Sequence, residues 1–297
     1  MSQVIALPYI EPVFRPPSEW KSLILQVTNG CSWNQCTFCD MYTQPQKKFR
    51  PKSQEDIDKE LAVVAESGTH VGRVFLADGD AMALSFRRLK SILLSIKHYL
   101  PNVTRVSSYC LPRNLLNKSV DELTELQQLG LKLVYVGCES GDDTVLSAIN
   151  KGETYASSLS ALVKLKQAQM KTSVMILNGM GGVRFSRQHA VQSAKLMNEA
   201  QPNFLSTLVV SYPLGDKRVV EGFKGEYQLP DTKGLLQEMK VLLENLQLES
   251  TVFRSDHASN YLALKGILGK DKSKMLSIID SAIDNAIPLR QEWQRGL

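Results

Sequence analysis

Three of the chain's five cysteines, Cys31, Cys36 and Cys39, fall within nine residues, and soft thiolate ligands at such short spacing are suited to iron–sulfur clusters or zinc. They follow the apolar run Leu23-Ile24-Leu25-Gln26-Val27, which reads as a strand, so the thiols sit on a loop leaving a strand end. Three cysteines leave one metal position without a thiolate. A structural zinc site is closed by four ligands, whereas an open position suits a metal that must bind and activate something. Two plainer readings stand beside this one. A fourth ligand such as His70 would make a non-catalytic zinc protein, and a cluster without further chemistry would make an electron carrier.

The rest of the chain must position that loop. Short β-branched runs at 22–28, 73–77, 104–109, 132–137, 173–178 and 205–211 alternate with longer amphipathic ones, the pattern of βα units around a parallel sheet. Ser53 before Gln54-Glu55-Asp56 and Ser119 before Val120-Asp121-Glu122 predict helix N-termini, and Gly68 and Gly130 predict helix ends. Residues 1–20, with Pro8, Pro12, Pro16 and Pro17, read as an extended lead-in. Residues 21–230 hold the six βα units. Residues 231–297 read as a C-terminal helical extension, with helices predicted over 231–247 and 271–286.

The composition bounds the class. A 297-residue chain that is 43% hydrophobic can build a sizeable core, and a net charge of +5 is mildly basic. That charge is compatible with an anionic substrate, a nucleotide or RNA but argues for none of them. Clustered rather than dispersed cysteines argue for a reducing cytosol over a disulfide framework, and no apolar run approaches a membrane span. The N-terminus lacks the apolar core of a signal peptide, so the expectation is a cytoplasmic protein.

In parallel βα architectures the chemistry gathers at the C-terminal strand ends. The sequence there reads Asp78-Gly79-Asp80 after the second strand and Ser107-Ser108-Tyr109-Cys110 after the third. Gly137-Cys138-Glu139-Ser140-Gly141 follows the fourth and Asn178-Gly179-Met180-Gly181-Gly182 the fifth. With Asn150-Lys151-Gly152 and the aromatic Phe38 before the last cysteine, this set resembles the radical S-adenosylmethionine (SAM) superfamily. The likeness is to its coproporphyrinogen-oxidase-like and methylthiotransferase-like branch. The family's usual cluster spacing is C-x3-C-x2-C; here the first gap is one residue longer. The sixth strand end, Tyr212-Pro213-Leu214-Gly215, resembles the family's Pro-Gly-Thr turn without its threonine.

The resemblance implies a partial (β/α)6 TIM-like barrel carrying a [4Fe-4S] cluster on Cys31, Cys36 and Cys39, with SAM on the fourth iron. Its reductive cleavage would yield a 5′-deoxyadenosyl radical that abstracts hydrogen from a substrate, with an electron donor such as flavodoxin or ferredoxin as partner. The enzyme would be an oxidoreductase or a transferase. Asp80 falls at the position of the family acid that receives the SAM amino group, flanked by Asp78 and Gly79. Phe38, Tyr109, Glu139, Asn178 and Gly179 complete the implied SAM contacts. Cys110 and Cys138, at neighbouring strand ends, are too few for a second cluster; they are thiols that could donate a hydrogen atom, or plain core residues. Methylthiolation is therefore not expected, nor is a cobalamin domain ahead of the cysteine loop. The polar run from Arg254 through His257 to Asn260 and Tyr261 is either a substrate-facing loop, with His257 its first catalytic candidate, or a hydrogen-bonded joint for the C-terminal helices.

Overall fold

Each predicted strand forms, because each short β-branched run is flanked by an amphipathic helix that buries one face of the sheet. The computed structural model describes residues 7–295. The first six residues of the lead-in, and Gly296 and Leu297 of the extension, lie outside the described residues. The elements in chain order are β1 (Leu23–Gln26), β2 (Thr28–Asn29), β3 (Arg50–Pro51), α1 (Gln54–Glu66), β4 (Arg73–Ala77), α2 (Phe86–Tyr99), β5 (Arg105–Cys110), α3 (Val120–Gln128) and β6 (Leu131–Glu139). There follow α4 (Asp143–Ala148), α5 (Tyr155–Gln167), β7 (Lys171–Asn178), α6 (Gly182–Ala200), β8 (Phe204–Val209), α7 (Lys217–Gly222), α8 (Thr232–Asn245), β9 (Val252–Ser255), β10 (Leu264–Ile267) and α9 (Leu268–Ile283). Eight strands make up the main sheet in the order β1-β4-β5-β6-β7-β8-β9-β10, an open order among the described residues. The described residues divide into two compact units, one of residues 7–34, 41–136 and 164–172 and the other of 35–40, 137–163 and 173–295.

In the first unit the strands of the main sheet run parallel, with Leu23 beside Val74, Val74 beside Val106 and Ser108 beside Val134. Leu25, Val74, Leu76 and Val106 are buried with Leu61, Leu89 and Ile92 from the covering helices. The predicted caps are present. The Ser53 hydroxyl accepts from the Asp56 amide at 3.1 Å, and Ser119 and Glu122 form a reciprocal capping box. Gly68 and Gly130 follow the ends of α1 and α3 with φ of 69° and 117°. The lead-in lies along β1, with Tyr9 donating to the Ile24 carbonyl at 2.9 Å and the Ile10 amide donating to Gln26 at 2.9 Å. The short ribbon of β2 and β3 pairs Thr28 with Pro51 and closes the base of the loop that begins with the cysteine stretch.

In the second unit β7, β8 and β9 are parallel, and β10 returns antiparallel to β9 with Leu264 beside Ser255. Helices α8 and α9 answer the two predicted C-terminal helices. The hairpin of β9 and β10 between them is an addition to the purely helical extension expected. Val252-Phe253-Arg254-Ser255 does alternate in burial, but four residues inside a polar run are too few to declare a strand. Val145, Leu146, Ile149, Leu177, Met180, Val219 and Phe223 form a core cluster against which Phe38 packs. Among the described residues no helix is long and apolar enough to cross a membrane.

Candidate functional site

The cysteine stretch is shared: Cys31 belongs to the first unit, Cys36 and Cys39 to the second. None of the three is in a disulfide, and all three are half-buried.

On the Cys31 side, the end of β4 supplies two buried carboxylates. Asp78 Oδ2 accepts from the Gly30 amide at 3.1 Å and from Gln26 at 3.4 Å, and it pairs with the Lys47 ammonium. Both side chains of that ion pair are fully buried, and Lys47 also donates to the Ile10 carbonyl at 2.8 Å. Asp78 thus ties the residue before Cys31 to the strand end and the lead-in. Asp80 accepts from the hydroxyl of Ser32, the residue after Cys31. Burial pushes the Asp80 carboxyl above its usual range, opposed by hydrogen bonds from Ser32. One oxygen on each acid, Asp78 Oδ1 and Asp80 Oδ1, is buried without a hydrogen-bond partner. Gly79 between them lies under an aromatic ring: a Cβ there would stand 2.3 Å from Tyr42 Cε2. Tyr109 packs edge-on against Phe75 at 5.1 Å. Arg113 stacks over Trp33, inside the long cysteine gap, at 3.8 Å. Cys110 is buried, its thiol 3.4 Å from the Leu111 carbonyl.

On the other side, Thr37 donates its amide to the Ile149 carbonyl at 2.9 Å, and Asn150 donates to the Gln35 carbonyl at 3.1 Å. Glu139, in left-handed backbone at φ 63°, turns its carboxylate onto Lys151 at 3.0 Å. Gly137 makes room for this, because a Cβ there would fall 2.2 Å from Glu139 Oε1. Burial alone would lower the Lys151 ammonium, but Glu139 foremost, then the Cys36 and Cys138 sulfurs, hold it above its ordinary value. Lys151 also faces the Phe38 ring at 6.0 Å. Cys138 is fully buried, and that burial pushes its thiol up to about 12. It is therefore a thiol rather than a thiolate at neutral pH.

Asn178 and Gly179 meet the C-terminal extension. Asn178 donates to Glu238 at 2.7 Å, the Gly179 amide donates to the same oxygen at 2.6 Å, and Tyr227 donates to the Gly179 carbonyl at 3.0 Å. Leu229 and Leu235 lie where a side chain on Gly179 would point. The polar run near His257 has the connectivity of a joint. Asn260 bridges β8, accepting from the Val209 amide and donating to the Thr207 carbonyl, both at 2.9 Å. Arg290 donates to the carbonyls of His257 at 2.6 Å and Asn260 at 3.1 Å. His257 is half-buried, with the Ser259 amide donating to Nδ1 at 3.1 Å.

Sequence reasoning gave no role to Lys47, Lys151 or Arg218. Lys47 stands in a Gln-Lys-Lys run that looks solvated, and Arg218 lies in a connection full of charges. Only Lys151 carried a signal, through the Asn150-Lys151-Gly152 motif.

The donor chemistry fits a cluster with an open iron. Three cysteines outside any disulfide could each ligate one of three separate irons. Among the described residues no three His, Cys, Asp or Glu side chains gather as they would around a single ion. The partnerless oxygens of Asp78 and Asp80 fit an ammonium, which needs acceptors.

Comparison with known proteins agrees. Residues 25–196 match the family model for the radical SAM superfamily. A tRNA-2-methylthio-N(6)-dimethylallyladenosine synthase from Bordetella avium (strain 197N) is 29% identical over 182 residues, 57% of this chain and 37% of that protein. The chain therefore spans little more than a third of that relative's length. Among solved structures, coproporphyrinogen III oxidase (HemN) from Escherichia coli, a radical SAM enzyme, superposes with TM-score 0.57 at 16% identity over 75% of this chain and 52% of that one. The radical S-adenosylmethionine methyltransferase TsrM from Kitasatospora setae, with cobalamin and a [4Fe-4S] cluster bound, gives TM-score 0.50 at 18% identity, covering 63% of this chain and 34% of that one. These likenesses show the fold expected from the sequence, a partial TIM-like barrel.

Proposed function

Because this chain belongs to the radical SAM superfamily, we propose that it holds a [4Fe-4S] cluster on Cys31, Cys36 and Cys39 and binds SAM at the remaining iron. When bound, the cluster and SAM supply reductive cleavage to methionine and a 5′-deoxyadenosyl radical that takes hydrogen from a substrate. The observation that carries the reading is the pair of buried, partnerless carboxylate oxygens on Asp78 and Asp80 at the β4 end, joined through Gly30 and Ser32 to either side of Cys31.

The chain's own residues then have distinct tasks. Asp78, already occupied by Lys47 and Gly30, mainly holds the loop. Asp80 receives the SAM ammonium, which would relieve its buried and unfavourable charge. Glu139, fixed by Lys151, accepts from SAM hydroxyl or amino groups, and Phe38 lies beside that pair. Tyr109, Gly79, Asn178 and Gly179 are the further positions that the family resemblance would give to the cofactor; in this chain Asn178 and the backbone of Gly179 are bonded to Glu238 and Tyr227. The relatives are a synthase of a tRNA nucleoside, an oxidase of coproporphyrinogen III and a methyltransferase. What this chain has in common with them is the radical SAM family match and the fold. The electron donor we propose is a flavodoxin or ferredoxin in the cytoplasm. Asp80→Asn should weaken SAM binding by roughly 10- to 150-fold while leaving iron content unchanged, since one charge-assisted hydrogen bond contributes roughly 1.5–3 kcal/mol. Calorimetry on the reconstituted variant checks this, and unchanged affinity would remove Asp80 from the pocket.

A further inference from the structure

We infer that Arg218 is a positioning residue for the cysteine loop, and that its guanidinium sets the geometry and raises the reduction potential of whatever the loop holds; this rests on the cluster assignment above. Arg218 stands at the second position of α7. Its two terminal nitrogens donate to the Cys36 carbonyl at 3.4 Å and the Cys39 carbonyl at 3.2 Å. The second nitrogen also pairs with Asp40, the residue after the last cysteine. One planar cation therefore engages the backbones of two of the three cysteines and is held in turn by a carboxylate.

The arrangement is built from both ends. Val219, next to Arg218, is fully buried in the core cluster against which Phe38 of the cysteine loop packs. Thr37, between the two engaged carbonyls, is pinned to Ile149. The loop from Gln35 to Asp40 thus has apolar, backbone and ionic attachments within one unit, and Arg218 supplies the ionic one. Its forked geometry matters: a guanidinium bonds two carbonyls and a carboxylate in fixed directions, which a lysine ammonium cannot reproduce. The longer first gap between Cys31 and Cys36 adds slack to the loop. Fixing the Cys36 and Cys39 carbonyls keeps that slack out of the two-residue gap between these ligands.

Two consequences separate a positioning charge from a merely structural contact. A reduced cluster carries one more negative charge, so a nearby cation favours reduction. Groups that orient metal ligands typically change metal affinity about 10–100-fold when removed, and Arg218 is part-exposed, which places it at the low end.

The test uses the reconstituted protein and its Arg218→Gln and Arg218→Lys variants. Iron release to a chelator and the one-electron potential are measured, the latter by spectroscopically monitored titration. Arg218→Gln should release iron about tenfold faster and titrate at a more negative potential. Arg218→Lys keeps the charge but not the fork, so its potential should stay near the parent's while iron release stays fast. Unfolding temperatures of the cluster-free proteins should agree, because the side chain is part-exposed. If the parent holds a Cys31-, Cys36- and Cys39-dependent cluster while Arg218→Gln matches it in release rate and potential, the inference is overturned. A parent that holds no such cluster overturns the cluster assignment instead.

Discussion

Replacing Lys47 with Met would leave Asp78 charged, fully buried and without its cation. Both side chains have no solvent exposure, so neither water nor salt can compensate. Breaking a buried ion pair by removing one partner costs about 3–5 kcal/mol, most of it the penalty of the stranded charge. Asp78 keeps its bonds from the Gly30 amide and Gln26, which places this site toward the lower end. A loss of about 3 kcal/mol is a large part of the roughly 5–15 kcal/mol that holds a typical domain together. At about 2 °C per kcal/mol it lowers the midpoint by about 6 °C. The double variant Lys47→Met with Asp78→Asn removes both charges and should recover most of that loss. Thermal or urea unfolding of the cluster-free parent, the two single variants and the double variant closes the cycle. The coupling between the two sites should be at least about 2 kcal/mol, since partners in one network do not add independently. Strictly additive single effects, or a Lys47→Met variant as stable as the parent, would refute the buried latch. With it would go the role of Asp78 in holding Gly30 and the start of the cysteine loop.

Gly79→Ala should destabilise the protein by roughly 1–3 kcal/mol, because the new methyl falls 2.3 Å from a Tyr42 ring carbon and the ring must move. Unfolding midpoints read this, and Tyr42→Leu in the same chain should recover part of the loss; no effect would mean the ring yields freely. His257 offers a pH test. Burial first, then the Arg290 cation, lower its pKa below the ordinary 6.5, with Asp256 opposing. The unfolded chain then takes up the proton first, so stability falls as pH drops from 6.5 toward the lowered folded value. Comparing melts at pH 7.5 and 5.5, His257→Gln should lose less stability on acidification than the parent; an equal loss would contradict the assignment.

Much of this was legible in the residues, and what was not has identifiable causes. The six parallel strands and the Ser53 and Ser119 caps follow from local patterns of side-chain type, which need no knowledge of distant contacts. The three cysteines announce themselves by chemistry and spacing. Lys47 and Arg218 do not, because their roles come from partners 31 and about 180 residues away. The hairpin of β9 and β10 depends on β8 offering an edge, so its short strands carry little signal of their own. The glycine run after Asn178 was readable as a place of close approach. That Glu238 and Leu235 of α8 are among the groups approaching it was not, since helical periodicity does not say where a helix docks.

The most direct measurement is anaerobic reconstitution with iron and sulfide, reduction with dithionite, addition of SAM and chromatography for 5′-deoxyadenosine. The account predicts 5′-deoxyadenosine from the parent and none from Cys31→Ala, Cys36→Ala or Cys39→Ala. A parent that binds zinc in place of a cluster, or a cluster-loaded parent that leaves SAM intact with reductant present, would contradict it.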